Sequence, residues 1–214
     1  DITINERWLI TDQHSYGTRP HWSPSGAWIA FSMNNVSQTT EHYMYLYSVA
    51  TRETISLPVG PTPALSFDWS DDDHSLYFTS TRVRPIEEET AYKSQWKHVI
   101  NYRRPPAGTT IKRLDINATG STFSSRVQVV TNVSLIVGEI LYVPFEHQLL
   151  FNSKGTLFED VGDFEMYSIH LDNVTSSLQK LTDVEGIEQE MQLSSDGRHV
   201  VFRLRAISSG AVKL

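Results

Sequence analysis

The chain has 214 residues, of which 39% are hydrophobic and 20% charged, and its formal net charge is −7. A chain of this length and composition can bury a sizeable core, which excludes a disordered polypeptide and a cross-linked mini-protein. The absence of cysteine excludes disulfides, a thiolate nucleophile and a zinc–thiolate site. The acidic balance argues against a nucleic-acid-binding protein, and no apolar run is long enough to span a bilayer.

Two features of the sequence bear on its compartment. The chain opens with Asp1 and has no basic and apolar leader, so we expect either a removed targeting segment or a piece of a longer protein. Asn-x-Ser/Thr motifs, called sequons below, are the acceptors of N-linked glycans and occur more often than the Ser and Thr content predicts. They mark four candidate glycosylation sites: Asn35, Asn117, Asn132 and Asn173. We therefore expect an extracytoplasmic location, either along the secretory route or in a periplasm.

The first predicted elements are a short strand at Trp8–Thr11 and a hairpin between Trp22 and Phe31. The hairpin is predicted because Ser-Pro-Ser-Gly is turn chemistry and Trp-Ile-Ala-Phe favours a strand. The same offset of nine residues between a large apolar residue and a phenylalanine recurs at Trp69/Phe78, Tyr142/Phe151 and Leu193/Phe202. We predict four hairpins, with the four phenylalanines buried at equivalent positions.

Further strands are predicted after the hairpins. The third strands are His42–Val49, Thr110–Ile116 and Phe164–Leu171, and the fourth strands are Thr54–Val59, Val127–Thr131 and Leu178–Thr182. A stub at Ala211–Leu214 resembles the start of another third strand. Four short strands per repeat of 47 to 51 residues are typical of the blades of a β-propeller.

The predicted fold is therefore all-β, a β-propeller of four-stranded antiparallel blades. The predicted blades cover about 18–60, 64–132, 140–183 and 187–214, with an orphan outer strand at 7–12. Either the orphan strand completes the last blade and closes a four-bladed ring, or the chain holds an incomplete set of blades. We expect an incomplete set, since most propellers of this repeat type have more blades.

One interval breaks the period, because Trp69 and Tyr142 are separated by 73 residues. The excess lies at 81–108, within the second blade, and its middle predicts a short helix at Glu87–Tyr102 with Tyr92, Trp96 and Ile100 on one stripe. Glu87–Glu89 are predicted to be solvated charges on a loop. The insertion combines an aromatic anchor with cations that bind carboxylates, which gives four candidate interaction residues: Trp96, His98, Arg103 and Arg104.

The segment Trp22–Phe31, followed by the aromatic strand Tyr43–Tyr47, resembles the WD40-like PD40 repeat. That repeat occurs in TolB-type propellers and in the N-terminal propellers of prolyl-oligopeptidase-family serine peptidases, including dipeptidyl and acylaminoacyl peptidases. The resemblance extends over about 7–206, and the first copy is the nearest to consensus. Within the insertion, Ser94–Arg103 resembles a Glu-Trp-Lys-Asp-Val-x-x-Tyr-Arg stretch of the peptidase propellers. The resemblance favours a propeller that accompanies a peptidase.

Catalytic and cofactor motifs are missing from the sequence. It contains no Gly-x-Ser-x-Gly elbow for a serine nucleophile and no glycine-rich phosphate loop. The eight histidines form no His-x-His or His-x-x-x-His pair, and Asp71–Asp73 reads as a structural turn rather than a cation site. We expect no catalytic residue, metal ligand or cofactor. The strand aromatics are predicted to serve the core: Trp22, Trp28, Tyr43, Tyr45, Tyr47, Trp69, Tyr77 and Tyr167.

Three hypotheses about function remain. The first is the non-catalytic propeller of a prolyl-oligopeptidase-like enzyme, which gates or positions peptide substrates for a hydrolase domain of the same longer chain. The second is a TolB-like module that binds a protein or a peptide and has no enzymatic role. The third and weakest is the propeller that accompanies some amidohydrolases, which would need a His-x-His metal motif further along the chain.

Overall fold

The computed structural model describes residues 9–10, 19–32, 42–96, 108–119, 122–154, 164–184 and 186–205. Within these ranges the strands form four antiparallel sheets, in each of which the spatial order follows the chain order. Sheet 1 contains β1 (His21–Trp22), β2 (Trp28–Ser32), β3 (His42–Ser48) and β4 (Thr54–Gly60). Sheet 2 contains β5 (Ser66–Trp69), β6 (Ser75–Thr81), β7 (Thr109–Thr119) and β8 (Thr122–Val133). Sheet 3 contains β9 (Ile136–Val143), β10 (Gln148–Lys154), β11 (Glu165–His170) and β12 (Gln179–Lys180), and sheet 4 contains β13 (Ile187–Leu193) and β14 (Val200–Arg205).

The predicted hairpins and the all-β fold are confirmed. Each of the four repeats places its first two strands at the predicted turn, and three complete four-stranded sheets follow from the predicted third and fourth strands. Of the predicted orphan strand only Leu9 and Ile10 are described, and neither of these two residues lies in a strand. Ile10 instead packs against Ile29, Phe31 and Tyr47 on the open side of sheet 1. The rest of that segment and the stub at 211–214 lie outside the described residues.

Two of the hairpin turns are closed by the same pair of side chains. In the second hairpin the Ser70 hydroxyl donates to Asp72 Oδ1 at 2.6 Å, and the same carboxylate oxygen accepts the amide of His74 at 2.9 Å. In the fourth hairpin Ser194 donates to Asp196 Oδ1 at 2.5 Å. In both turns the serine hydroxyl also accepts a backbone amide five residues further on, at 2.9 Å. These local bonds explain why the turn sequence predicts the hairpin.

The first and third hairpins are variants of this turn. In the first, Ser25 takes the place of the aspartate, and its hydroxyl accepts the amide of Ala27 at 3.1 Å. The carboxylate of Asp73, from the second hairpin, accepts bonds from both Ser23 and Ser25 and so links the two turns. In the third hairpin Pro144–Glu146 form a 3₁₀ turn that ends at His147 in the left-handed conformation, with φ 47°. Different side chains thus produce the same strand spacing.

The shared turn predicts a pH dependence of stability. The hydroxyl of Ser70 lowers the pKa of Asp72 below its ordinary value, while burial acts in the opposite direction. A carboxylate whose pKa is lower in the folded state stabilises the fold above its unfolded pKa, about 3.9, and this contribution is lost as the pH falls through the folded-state pKa. The free energy of unfolding of Asp72→Asn should therefore fall less between neutral and acidic pH than that of the unmodified chain. Urea unfolding at the two pH values measures this difference.

Asp71→Asn is the matched control, because the Asp71 carboxylate makes none of the described bonds that close this turn. It should retain the acid sensitivity of the unmodified chain. Equal acid sensitivity of the two variants would show that the turn carboxylate does not contribute to acid unfolding.

The core lies between consecutive sheets. Between sheets 1 and 2 it contains Met44, Leu46, Phe67 and Phe78, all nearly inaccessible to solvent. Between sheets 2 and 3 it contains Ile111, Leu149 and Phe151, and the rings of Tyr77 and Tyr142 stack at 5.2 Å across the same boundary. Burial raises the pKa of Tyr142 to about 12. The face-to-face packing expected of blades is therefore present.

The phenylalanine equivalence is confirmed for three of its four members. Phe31, Phe78 and Phe151 are buried, each on the second strand of its sheet, whereas Phe202 is half-buried. Phe202 lies on β14, which among the described strands pairs only with β13 and so has fewer neighbours.

The predicted core role of the strand aromatics needs one correction. Trp69, Tyr47 and Tyr77 are buried, and Trp28, Tyr43, Tyr45 and Tyr167 are half-buried. Trp22 is 61% exposed. The ring of its neighbour His21 lies 5.0 Å from Phe67 of sheet 2, so Trp22 points to the opposite side, where no described sheet precedes sheet 1.

The insertion between β6 and β7 begins with helix α1 (Ile86–Trp96). The helix predicted at Glu87–Tyr102 is confirmed as far as Trp96, and the rest of that range lies outside the described residues. The loop predicted for Glu87–Glu89 is wrong, because these residues form the first turn of α1, where acidic side chains interact favourably with the helix dipole. Arg82 pairs with Glu88 at 2.7 Å and its amide donates to the carbonyl of Gly108 at 3.1 Å, which closes the base of the insertion. No helix in the described ranges has the length and apolar character needed to cross a membrane.

Candidate binding channel

The first strands of the four sheets, β1, β5, β9 and β13, lie side by side around a cavity of about 810 Å³. All four sheets contribute residues to its wall. We call it the channel below. The residues that line it are polar and apolar in equal number, with one glycine. The polar ones are Arg19, His21, Ser66, Glu139, Asn152, Gln189, Glu190 and Gln192; the apolar ones are Leu65, Phe67, Val137, Ile140, Leu141, Phe164, Ile187 and Met191; the glycine is Gly138.

The channel strands are joined by side chains that accept backbone amides of the next sheet. Ser66 Oγ accepts the amide of Ile140 at 3.1 Å, and Asp68 Oδ2 accepts the amide of Tyr142 at 2.8 Å. These bonds have a simple cause, since a strand at the edge of a sheet leaves amides that must find acceptors. The arrangement fixes the spacing of sheets 2 and 3 around the channel.

Glu139 performs the same role between sheets 3 and 4. Its Oε2 accepts the amide of Glu190 at 2.6 Å and that of Met191 at 3.3 Å. Glu190 has a left-handed backbone, with φ 58°, at a bulge where β13 shifts register against β14. Because a non-glycine residue is strained in this conformation, the carboxylate of Glu139 helps to hold the bulge open.

Charges of both signs face the channel. The carboxylate of Glu190 lies 3.0 Å from Arg203 and 3.9 Å from Arg19, and His21 Nδ1 lies 3.6 Å from Asp68 Oδ1. Asn152 joins the wall from behind, since its amide nitrogen donates to the carbonyl of Glu188 at 2.6 Å. The channel wall is therefore mixed, with charged and amide groups set among apolar side chains.

The channel offers binding groups without a described catalytic or metal constellation. In the part of the chain that the structure describes, no three His, Asp or Glu side chains are grouped to hold a metal ion. Ser66 belongs to the wall, and its hydroxyl oxygen accepts a hydrogen bond from the amide of Ile140. What the arrangement can do chemically is to hold a ligand that combines hydrogen-bonding groups with apolar side chains.

None of the four candidate interaction residues is among the described residues that line the channel. Trp96 is the last residue of α1, whereas His98, Arg103 and Arg104 lie outside the described residues. The predicted stripe of Tyr92, Trp96 and Ile100 stays a prediction, because the first two side chains and the whole of Ile100 lie outside what the structure describes. The candidate sequons at Asn117, Asn132 and Asn173 are exposed, and Asn35 lies outside the described residues.

The channel itself was missed by sequence reasoning. Its only sequence signal is the polar pair Ser66 and Asp68 on a strand whose alternate residues, Phe67 and Trp69, enter the core. A polar alternation of this kind is also typical of any strand with a solvated face, so it does not by itself indicate a channel.

Comparison with known proteins gives a fold and no closer relationship. No protein-family model matches the sequence, and no curated protein matches it. TolB from Acinetobacter baumannii superimposes with a TM-score of 0.58 at 18% identity, over 94% of this chain and 40% of the TolB chain. The tricorn protease superimposes with a TM-score of 0.60 at 11% identity, over 95% of this chain and 22% of the protease chain.

This chain thus spans less than half the length of either of these proteins. At such identities the likeness concerns the fold alone. The resemblance predicted from the Trp22–Phe31 repeat agrees with it, as do the three four-stranded meanders and their arrangement around the channel. The chain is a β-propeller of the type represented by TolB and by the tricorn protease.

Proposed function

We propose that this chain is the non-catalytic propeller of a prolyl-oligopeptidase-like serine peptidase and positions peptide substrates for a hydrolase domain. The observation that carries the proposal is the channel of about 810 Å³ at the centre of the four sheets. Its volume lies within the range of ligand-binding cavities, roughly 300–1,000 Å³.

The chemistry of the wall suits an extended peptide. The exposed amide of Gln192 supplies a donor and an acceptor for peptide groups, and Leu65, which is 46% exposed, supplies an apolar contact for a side chain. Arg19 and Glu190 offer one charge of each sign. A peptide, with its polar backbone and varied side chains, can interact with all these groups, whereas a ligand of one charge sign can pair with only one of the two charges.

The second candidate is a TolB-like scaffold that binds a folded protein. Its support is the superposition with TolB, which is as good as that with the tricorn protease. A folded partner is too large for the channel and would use an outer face of the propeller. The exposed helix α1, tethered by Arg82 and Glu88, is one such surface. The two candidates therefore predict different binding surfaces.

Leu65→Ala should weaken the binding of short unstructured peptides about fivefold, measured by isothermal titration with the purified chain. The expected loss corresponds to about 1 kcal/mol, because a half-exposed leucine buries only part of its surface against a ligand. The peptides should be recovered intact, since the sequence contains no Gly-x-Ser-x-Gly nucleophile motif.

Leu178→Ala is the matched control, because Leu178 is 45% exposed and lies just ahead of β12 at the outer edge of sheet 3. It should leave peptide affinity unchanged. Equal effects of the two variants, or no peptide binding at all, would contradict the peptide-positioning function. Binding of a folded protein that Leu65→Ala leaves intact would favour the scaffold.

A further inference from the structure

Three of the four sequons lie in described parts of the chain, all on the outer half of a blade. Asn117 lies near the end of β7, which pairs with β6 only as far as Asp115. Beyond that point β7 and β8 continue as a two-stranded ribbon, with Asn117 opposite Ser124. The side chain of Asn117 is exposed. The sequon therefore stands on a ribbon that projects past the body of sheet 2.

Asn132 lies at the other end of the same pair of strands. It belongs to β8, the outermost strand of sheet 2, and its side chain is exposed. Its Oδ1 accepts the hydroxyl of Thr110 at 2.7 Å. Because this bond uses the carbonyl oxygen of the amide, the amide nitrogen, which is the atom that would carry a sugar, is not needed for it.

Asn173 ends the 3₁₀ turn Leu171–Asn173 between β11 and β12. It is exposed, as is Thr175, the hydroxyl residue of its sequon. Its Oδ1 accepts the hydroxyl of Ser176 at 3.0 Å. Here too the amide oxygen is engaged within the turn and the nitrogen is left for other chemistry.

One described asparagine, Asn152, stands outside a sequon, and it is buried where the sequon asparagines are exposed. Asn152 is 4% exposed, its nitrogen donates to the carbonyl of Glu188, and its oxygen accepts the amide of Glu139 at 2.6 Å. Among the described asparagines, those in sequons are exposed on the outer rim and the one without a sequon is buried beside the channel. A bulky, hydrated glycan is compatible only with the first kind of position.

We infer that Asn117, Asn132 and Asn173 carry N-linked glycans on the outer rim of sheets 2 and 3, and that the channel is left uncovered. In each transfer the amide nitrogen Nδ2 forms a bond to C1 of an oligosaccharide held on a lipid pyrophosphate. The bond from C1 to the phosphate oxygen breaks, the lipid pyrophosphate leaves, and the amide gives up one proton. No oxidant or reductant is involved. The inference does not depend on the proposed peptide binding.

The test is to express the full chain behind a secretion signal in eukaryotic cells and to map the glycans. An amidase that releases N-glycans converts each occupied asparagine to aspartate, and in heavy-oxygen water the product is labelled for mass spectrometry. We expect the label at all three positions. Removing one hydroxyl residue at a time should abolish one glycan each: Thr119→Ala, Ser134→Ala and Thr175→Ala.

Lys154→Thr supplies the control, because it places the buried Asn152 in a sequon without touching the three rim sites. Secreted, folded protein should carry no glycan at Asn152. An unmodified rim asparagine overturns the inference for that position. Glycan on Asn152 in folded, secreted protein overturns the idea that the fold separates accepting from non-accepting asparagines.

Discussion

Phe151→Ala should lower the free energy of unfolding by about 3–5 kcal/mol, the usual loss for a phenylalanine removed from a well-packed core. Phe151 is fully buried between sheets 2 and 3, and its ring stacks on Tyr167 at 5.9 Å. Its removal leaves a cavity that strands on both sides cannot close without breaking the register of β10. Urea titration of the purified chain, followed by tryptophan fluorescence, measures the loss.

Phe145→Ala is the matched control for this prediction. Phe145 lies six residues before Phe151, in the third hairpin, and is 64% exposed, with the guanidinium of Arg198 at 5.0 Å from its ring. Its removal should cost less than about 1 kcal/mol, the value of an exposed cation–π contact. Phe202→Ala should fall between the two, since Phe202 is half-buried. Equal losses for Phe145 and Phe151 would refute the assignment of Phe151 to the core.

Gly108→Ala should destabilise the protein by roughly 3 kcal/mol or more, because two costs add at this position. The residue has φ +96°, a conformation that side chains other than glycine rarely adopt. An added Cβ would also overlap the carbonyl oxygen of Val133 and approach Ser134 Cα to 2.9 Å. Both are backbone atoms of the adjoining strand end and cannot turn aside as a flexible side chain can.

Gly26→Ala separates the two costs. Gly26 has φ +75°, but an added Cβ would meet no atom within 4 Å. This variant should therefore lose only the conformational part, about 1–2 kcal/mol. If urea titrations show equal losses of unfolding free energy for both variants, the close approach of Gly108 to the end of β8 does not contribute to stability. The base of the insertion is then packed less tightly than these contacts indicate.

The hairpins could be predicted from the sequence because their causes are local. The bonds of Ser70 with Asp72 and of Ser194 with Asp196 lie within six residues, and they recur with the repeat. The third hairpin was also found, although its turn is a 3₁₀ turn, because the offset between Tyr142 and Phe151 preserves the strand spacing. Period and turn chemistry together therefore determine the sheets.

The channel could not be predicted because it depends on how sheets stand next to one another. The bond between Asp68 and the amide of Tyr142 joins residues 74 apart in the sequence, and the bond between Glu139 and Glu190 joins residues 51 apart. No local pattern specifies such pairs. The exposure of Trp22 has the same origin, since a strand residue is buried only where a neighbouring sheet covers it.

The amide-accepting side chains of the channel strands have a consequence for how this molecule assembles and changes. Each of these bonds runs one way: Ser66 and Asp68 of sheet 2 receive amides from sheet 3, and Glu139 of sheet 3 receives amides from sheet 4. A sheet that is already in place thus offers the template on which its successor docks, so ordering can proceed from the amino-terminal side as the chain emerges. Because these bonds join each sheet to the next one, the whole blade is also the unit that evolution can duplicate or delete.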